Sequence, residues 1–177
     1  MNKVKVTNRS NGFIGYTIPE LGINRNFGPY ESKDVDSDEI RRVAYQAGGQ
    51  ALIDAYFLIE DKELAEEFSP DVSAEPEYWM KKEEIIKMML HGSQEQFLDF
   101  LDFCPPGSIE TVKDLAVTLP LRDTLKMDAI REKTGMNVYN AIQNRESEAE
   151  KTPEKTVRRV AIEENNVALP KYRRVEK

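Results

Sequence analysis

The sequence of 177 residues has very few of the side chains from which metal centres and nucleophilic sites are usually built. It contains one cysteine, Cys104, and one histidine, His91, so no intrachain disulfide is possible. The same scarcity removes the Cys/His cluster of an ordinary zinc site, and no calcium-loop spacing accompanies the carboxylates. Cys104 precedes a Pro-Pro-Gly break, whereas His91 lies in another predicted helix. We therefore expect Cys104 to be a small buried residue rather than a nucleophile.

Long apolar runs are also missing. No stretch approaches the roughly 18 apolar residues that a membrane span needs. The opening segment, "MNKVKVTNRSNG", lacks the apolar run of a signal peptide. We expect synthesis in a cytoplasm and no membrane contact.

Phosphate-binding loops and catalytic arrangements are not recognisable either. The pair Gly48-Gly49 follows a predicted helix rather than a strand, and it lacks the Lys-Ser/Thr of a phosphate loop. The two glycines of "NGFIGY" have the wrong spacing for a dinucleotide-binding turn. The sequence therefore predicts a non-enzymatic protein with no catalytic, cofactor-binding or metal-binding residues.

The patterns that are present predict an α+β fold. In residues 1–68, "KVKVTN" and "FIGYTI" alternate apolar and polar side chains around the turn cluster "NRSNG". This arrangement predicts a β-hairpin over residues 3–18. A helix is expected after it with Ser37 as N-cap, and a shorter helix is expected over Lys62–Phe68. Residues 1–68 thus form a predicted hairpin and helix module.

The segment 69–80, "SPDVSAEPEYWM", has two prolines and little helical pattern, so it is interpreted as a connector. About five short helices are predicted over 81–145, with Ser93 and Ser108 as N-caps. Trp79 is expected to pack at the junction of the two modules, and an exposed partner-binding anchor is the alternative. Residues 146–177 are predicted to be an extended tail.

That tail repeats a basic and apolar signature. Residues 145–177 hold nine Lys/Arg and seven Asp/Glu, whereas the whole chain has a net charge of −7. Such a composition buries too little apolar area to offset chain entropy, so disorder is expected until a partner is bound. The signature can add as an edge strand while its arginines contact carboxylates. The predicted partner-binding residues are Val157, Arg158, Arg159, Val160, Tyr172, Arg173, Arg174 and Val175. A solvated linker in which the two copies arise by chance is the alternative.

Nucleic-acid binding is the competing function. The stretch "LKMDAIREKTGMNVYNAI" can form two short helices around a glycine turn, as in a helix-turn-helix motif. Four basic residues lie nearby: Arg122, Lys126, Arg131 and Lys133. However, residues 137–143 contain no Lys or Arg, and their apolar side chains make a core stripe. Tertiary packing is the favoured interpretation, and the acidic total also argues against a nucleic-acid coat protein.

Several segments resemble a group of uncharacterised small proteins encoded by tailed bacteriophages. The resemblance is carried by "VTNRSNGFIGYTIPELGINRNF", "AYQAGGQALIDAYFLIED", "EPEYWM" and "IREKTGMNVYNAI". It implies a phage origin, and with it a virion component or a protein that acts on phage DNA or host machinery. We therefore expect a non-enzymatic structural or accessory component of a phage particle, made in the host cytoplasm and docked on another virion protein through its tail. The alternative is a regulator that binds nucleic acid, or a nucleic-acid-bound host protein, through its helical half. The oligomeric state is left open.

Overall fold

Two small antiparallel sheets precede a series of short helices, which is the predicted α+β class. The structure is a computed structural model, and it describes residues 3–119 and 121–150. The chain divides into two compact units, Met1–Val138 and Tyr139–Lys177.

The first sheet has three strands, with β1 (Lys3–Asn8) in the centre. It pairs antiparallel with β4 (Ser32–Asp36) on one side and with β5 (Phe57–Ile59) on the other. The second sheet is a two-stranded hairpin of β2 (Ile14–Ile18) and β3 (Ile23–Phe27). The inward side chains of both sheets share one apolar core.

The predicted 3–18 hairpin is therefore wrong, because β1 and β2 belong to different sheets. The buried side chain of Asn8 explains the divergence. Its amide donates to the carbonyls of Gly12 (2.7 Å) and Gly28 (2.8 Å), and its oxygen accepts from the backbone N–H of Ser10 (2.9 Å). These bonds fold the segment after β1 into a loop, where a two-residue hairpin turn would have kept the strands together.

The helices follow at short intervals along the chain. Their bounds are α1 Ser37–Ala44, α2 Gly49–Tyr56, α3 Lys62–Phe68, α4 Pro70–Ser73, α5 Lys82–His91, α6 Gln94–Phe103, α7 Pro106–Thr118 and α8 Thr124–Thr134. Two 3₁₀ turns cover Pro19–Leu21 and Pro76–Trp79, and a last helix, α9, runs over 138–150. Among the described residues, every helix is too short or too polar to cross a membrane.

The helix starts agree only partly with the predicted caps. Ser93 caps α6 in a reciprocal capping box with Gln96, as predicted. The N-cap of α1 is Asp36 rather than Ser37, because the Asp36 carboxylate accepts the N–H of residue 38. Ser108 does not cap α7, which begins at Pro106 with Ser108 buried inside its first turn. Proline suits the first helical position because its φ is already helical and its missing N–H is not needed there.

The predicted connector 69–80 is a packed part of the first unit rather than a boundary. Its two prolines start α4 and the second 3₁₀ turn instead of breaking the structure. Tyr78 is fully buried in the same core as the sheets, and its hydroxyl oxygen accepts the N–H of Ile59 (3.2 Å). Trp79 lies half-buried against that core and donates its indole N–H to the Ser73 carbonyl (3.0 Å). The predicted separation into modules 1–68 and 81–145 therefore does not appear as two compact units.

The boundary predicted at 145/146 also moves, because α9 continues through residue 150. Residues 146–150 are helical rather than extended. The segment alternates glutamates with a serine and an alanine, and glutamate and alanine are good helix formers. Residues 151–177, which hold the rest of the predicted tail, lie outside the described residues.

A buried lysine joins two helices of the C-terminal half. Lys126 of α8 is 3% exposed, and its ammonium donates to the carbonyls of Met88 (3.3 Å), Met89 (2.9 Å) and Gly92 (2.8 Å). These carbonyls lie at the C-terminal end of α5, where the helix dipole is negative. The contact holds α8 against α5, and the lysine charge offsets the negative C-terminal end of the α5 dipole.

A buried carboxylate joins the hairpin to α1. Glu39 is 4% exposed and accepts hydrogen bonds from the Tyr16 hydroxyl (2.6 Å) and from Arg25 Nε (2.5 Å) and Nη2 (2.7 Å). Burial opposes ionisation of this carboxyl, but the hydrogen bonds from Arg25 and Tyr16 outweigh it and lower the pKa of Glu39. The glutamate is therefore an anion that aligns β2 and β3 on the helix.

A close contact joins α7 to the N-terminal half. Gly107 is buried, and a Cβ at this position would lie 2.7 Å from the Ala55 carbonyl oxygen and 2.8 Å from Arg9 Cγ. Both distances are shorter than real Cβ contacts allow. Only glycine therefore lets α7 approach α2 and the Arg9 side chain this closely.

We predict that Glu39→Gln lowers the free energy of unfolding by about 1–3 kcal/mol at pH 7, because it removes a buried charge-assisted acceptor. The folded-state pKa of Glu39 is lowered, so its contribution is present above the unfolded value of about 4.3 and is lost as pH falls through the folded pKa. Urea unfolding at pH 7 and in the acid range measures both effects, and the variant should lose less stability than the wild type on acidification. Glu67→Gln, at the exposed Arg41–Glu67 pair, is the control and should cost less than about 1 kcal/mol. Equal losses at the two sites would contradict the structural role of Glu39.

We predict that Gly107→Ala destabilises the protein by about 1–3 kcal/mol, because the added methyl group overlaps a backbone carbonyl that cannot move freely. Thermal denaturation measures the change. Gly12→Ala is the matched control, since its Cβ would meet only Ser10 Oγ at 3.9 Å. The control should stay within about 0.5 kcal/mol of the wild type. If the two variants have the same stability, α7 does not pack as described.

Candidate functional site

The eight tail residues predicted to contact a partner all lie outside the described residues. They are Val157, Arg158, Arg159, Val160, Tyr172, Arg173, Arg174 and Val175. Their assignment stays a prediction. The site described below was not identified from the sequence.

Cys104 is the small buried residue that the sequence predicts. It follows α6 and is 8% exposed. Burial raises the pKa of its thiol to about 12, so at neutral pH the sulfur is protonated and weakly nucleophilic. His91 is exposed in the last turn of α5, where a cation is favoured by the helix dipole. Within the described residues, no three His, Cys, Asp or Glu side chains are grouped as metal ligands.

A small pocket opens between the three-stranded sheet and the start of α5. It has a volume of about 160 Å³. Its lining includes Thr7, Ser32 and Leu58 from the strands and Met80, Lys81, Lys82, Glu83 and Ile85 from the segment that enters α5. Pockets for drug-sized ligands measure roughly 300–1,000 Å³, so this one fits a group about as large as one side chain.

Tyr30 stands at the edge of the pocket in an unusual backbone conformation. Its φ is +58°, and it is the only non-glycine residue with positive φ among those described. It occupies the third position of the turn Gly28–Glu31, which is closed by the bond from Glu31 N–H to the Gly28 carbonyl (3.2 Å). With Pro29 at the second position, this is the type II pattern, in which glycine is the usual third residue.

A tyrosine in this conformation costs about 1–3 kcal/mol relative to glycine, and such strain is concentrated at functional sites. The turn is kept in place by the bond from Tyr30 N–H to the Ser10 carbonyl (3.2 Å). The ring lies under the ammonium of Lys82, which is 3.7 Å from the ring centroid. The Tyr30 hydroxyl donates to the Asp114 carboxylate (3.3 Å). The strained turn therefore positions Lys82 beside the pocket through a cation–π contact.

Arg9 lines the pocket from the protein interior and is 6% exposed. Its Nη1 donates to the Tyr78 carbonyl (3.0 Å) and its Nη2 to the Phe57 carbonyl (2.9 Å). The guanidinium carbon lies 4.5 Å from the centroid of the Tyr78 ring. All these partners are neutral, and the buried Nε has no hydrogen-bond partner.

Burial of this cation lowers the pKa of Arg9 to about 10, so the guanidinium still carries its charge at neutral pH. Buried charges are normally paired with an opposite charge. Arg9 has no ion pair among the described residues.

Two other charged side chains of the lining, Lys81 and Glu60, are paired with each other within the fold. The Lys81 ammonium lies 3.0 Å from the Glu60 carboxylate, which also accepts from the Thr7 hydroxyl (3.3 Å). Thr7 and Ser32 share a second hydrogen bond of 2.7 Å between their hydroxyl oxygens. Glu83 is exposed at the rim. Arg9 and Lys82 are thus the lining cations that have no carboxylate partner among the described residues.

The basic residues of the predicted helix-turn-helix are only partly available to nucleic acid. Lys126 is buried on carbonyl oxygens, and Lys133 lies 3.1 Å from the Asp102 carboxylate. Arg122 and Arg131 remain exposed. In the second unit, the described residues 139–150 carry one arginine and three glutamates, so that helix is acidic.

Comparison of the chain with protein-family profiles, with curated proteins and with solved structures found no match. The functional assignment therefore depends on the pocket, on the sequence of the tail and on the sequence resemblance described above.

Proposed function

We propose that the chain is a non-enzymatic accessory component of a tailed-bacteriophage particle that docks on another virion protein. The observation that carries the proposal is the side-chain-sized pocket beside the strained Tyr30 turn. Binding between proteins is dominated by a few anchor side chains that fill pockets of this kind. In this view the first unit supplies one point of attachment.

The tail supplies a second attachment through its two Arg-Arg-Val copies, at 158–160 and 173–175. Two weak contacts on one chain reinforce each other, because the second forms at an effective concentration on the order of millimolar. The net charge of −7 favours a protein partner over DNA, since DNA affinity comes largely from Lys and Arg on phosphates. The resemblance to small phage proteins supports a place in the virion after synthesis in the host cytoplasm.

The chemistry of the pocket supports binding rather than catalysis. Its aliphatic hydroxyl groups, on Thr7 and Ser32, bond to each other, and the carboxylate of Glu60 is paired with Lys81. The Glu60 carboxylate is already occupied by the Lys81 ammonium and the Thr7 hydroxyl. The groups of this pocket are thus better suited to hydrogen-bonding an occupant than to activating a nucleophile.

We predict that deletion of residues 151–177 leaves the melting temperature of the protein unchanged and removes the protein from purified particles. Mass spectrometry of particles formed with the full chain and with the truncated chain measures occupancy. Substitution of Arg158 and Arg159 by glutamine, or of Arg173 and Arg174, should each reduce occupancy. Loss of both pairs should reduce it by more than the product of the two single effects. Normal occupancy of the truncated chain would refute tail docking, and absence of the full chain from particles would refute the virion assignment.

We also predict that the full chain has no measurable affinity for duplex DNA at about 200 mM salt, since its net charge is −7, Lys126 is buried and Lys133 is paired with Asp102. A fluorescence-anisotropy titration at about 50 mM and about 200 mM salt measures this. A real affinity that falls steeply with added salt, and that Arg122→Gln and Arg131→Gln both weaken, would favour the regulator instead.

A further inference from the structure

We propose that the pocket beside Tyr30 binds a carboxylate group, received between Arg9 and Lys82, the two cations of its lining that have no carboxylate partner among the described residues. This inference rests on the proposed function, because it names the chemistry of the partner group that the first unit recognises. The shared chemistry is a carboxylate, and its source is an acidic side chain of the partner protein or a small free carboxylic acid.

The charge of Arg9 is uncompensated among the described residues. Arg9 is 6% exposed, its guanidinium donates to two neutral carbonyls, and its Nε–H has no acceptor. A planar carboxylate is the acceptor that best matches the donors of a guanidinium. A carboxylate that enters this pocket thus supplies the missing countercharge.

Lys82 is arranged so that its charge stays available to an anion. Its ammonium is kept at 3.7 Å from the Tyr30 ring centroid by a turn that is strained at that tyrosine. An aromatic ring stabilises a cation without neutralising it, so the ammonium keeps its affinity for an anion. Lys81 is different, because its ammonium is already paired with Glu60 at 3.0 Å.

The size of the pocket also fits a carboxylate. A volume of about 160 Å³ suits a carboxylate with a short aliphatic stem, and the apolar side chains of Leu58, Met80 and Ile85 line the pocket beside the polar groups. A nucleotide would need a much larger site. Glu83 at the rim disfavours a highly charged anion more than a singly charged one, because like-charge repulsion grows with the charge of the ligand.

The experiment is an NMR titration of the isotope-labelled full-length chain, with the Arg9 Nε–H signal and the Tyr30 backbone amide as reporters. Sodium acetate and sodium chloride are added at matched ionic strength. We expect saturable shifts of both reporters with acetate only. Shifts that are equal for the two salts, or that never saturate, would overturn the proposal.

Two peptides distinguish the sources of the carboxylate. Acetyl-Gly-Glu-Gly-amide carries one side-chain carboxylate, and acetyl-Gly-Gln-Gly-amide is its neutral control. Tighter binding of the glutamate peptide than of acetate indicates a protein side chain, whereas tighter binding of acetate indicates a small free acid. Equal affinity of the two peptides would show that the carboxylate is not recognised and would overturn the proposal.

Lys82→Gln should weaken binding of the glutamate peptide about tenfold, the usual effect of losing a charge-assisted contact. Lys87→Gln is the matched control on the same helix, outside the pocket, and should leave affinity unchanged. Equal behaviour of the two variants would contradict the role of Lys82. Peptide binding does not depend on the particle, so a chain that binds the peptide but is absent from particles would refute the proposed function and leave this inference standing.

Discussion

The buried guanidinium of Arg9 is the contact on which the arrangement of the first unit depends. It donates to the carbonyl at the start of β5 and to the carbonyl of Tyr78, just before α5. Its own carbonyl accepts the hydroxyl of Thr111 in α7, and its aliphatic stem packs where Gly107 leaves room. One residue, through its side chain and its backbone carbonyl, therefore connects the sheet, the segment 69–80 and the helical half. This explains why the two halves form one compact unit although their sequence patterns differ.

The burial of the Arg9 guanidinium also costs folding free energy, and this cost bears on the proposed binding site. The pKa of Arg9 is lowered because burial disfavours the charged form, and the protonated side chain at neutral pH therefore costs folding free energy. A carboxylate from within the chain would have removed that cost, as Glu39 and Arg25 do for each other. An uncompensated charge beside a pocket lowers the stability of the folded protein. A bound anion in the pocket would offset that loss. The strained φ of Tyr30 is a second cost in stability at the edge of the same pocket.

Much of the secondary structure could be predicted from the sequence, because it depends on neighbours along the chain. The pattern of Lys62–Phe68 predicted the bounds of α3, and Ser93 as an N-cap predicted the start of α6. The pairing of strands could not be predicted in this way. Alternation shows that β1 and β2 are strands, but the loop set by Asn8 decides that they separate. The prolines of 69–80 were interpreted as breaks, whereas in the fold they start helical turns next to the buried Tyr78.

The pocket was missed for a related reason. The partners of Arg9 lie 48, 69 and 102 residues away in sequence, so "NRSNG" gave only a turn signal. The positive φ of Tyr30 had no signature either, because Gly-Pro-Tyr-Glu predicts a turn without showing that tyrosine takes the position of glycine. The two Arg-Arg-Val copies of the tail could be recognised from the sequence, because each consists of three consecutive residues. Local patterns thus identified one candidate attachment, and tertiary contacts revealed the other.

The central claim is that the charge of Arg9 is uncompensated within the folded chain and is available to an acidic partner group. The most direct measurement is a pH titration of the Arg9 guanidinium carbon by NMR, with circular dichroism to confirm that the fold persists. The account predicts a pKa of about 10 for Arg9, below that of the exposed arginines, and a higher value when acetate is present. An Arg9 guanidinium that titrates together with the exposed arginines and does not respond to acetate would contradict it.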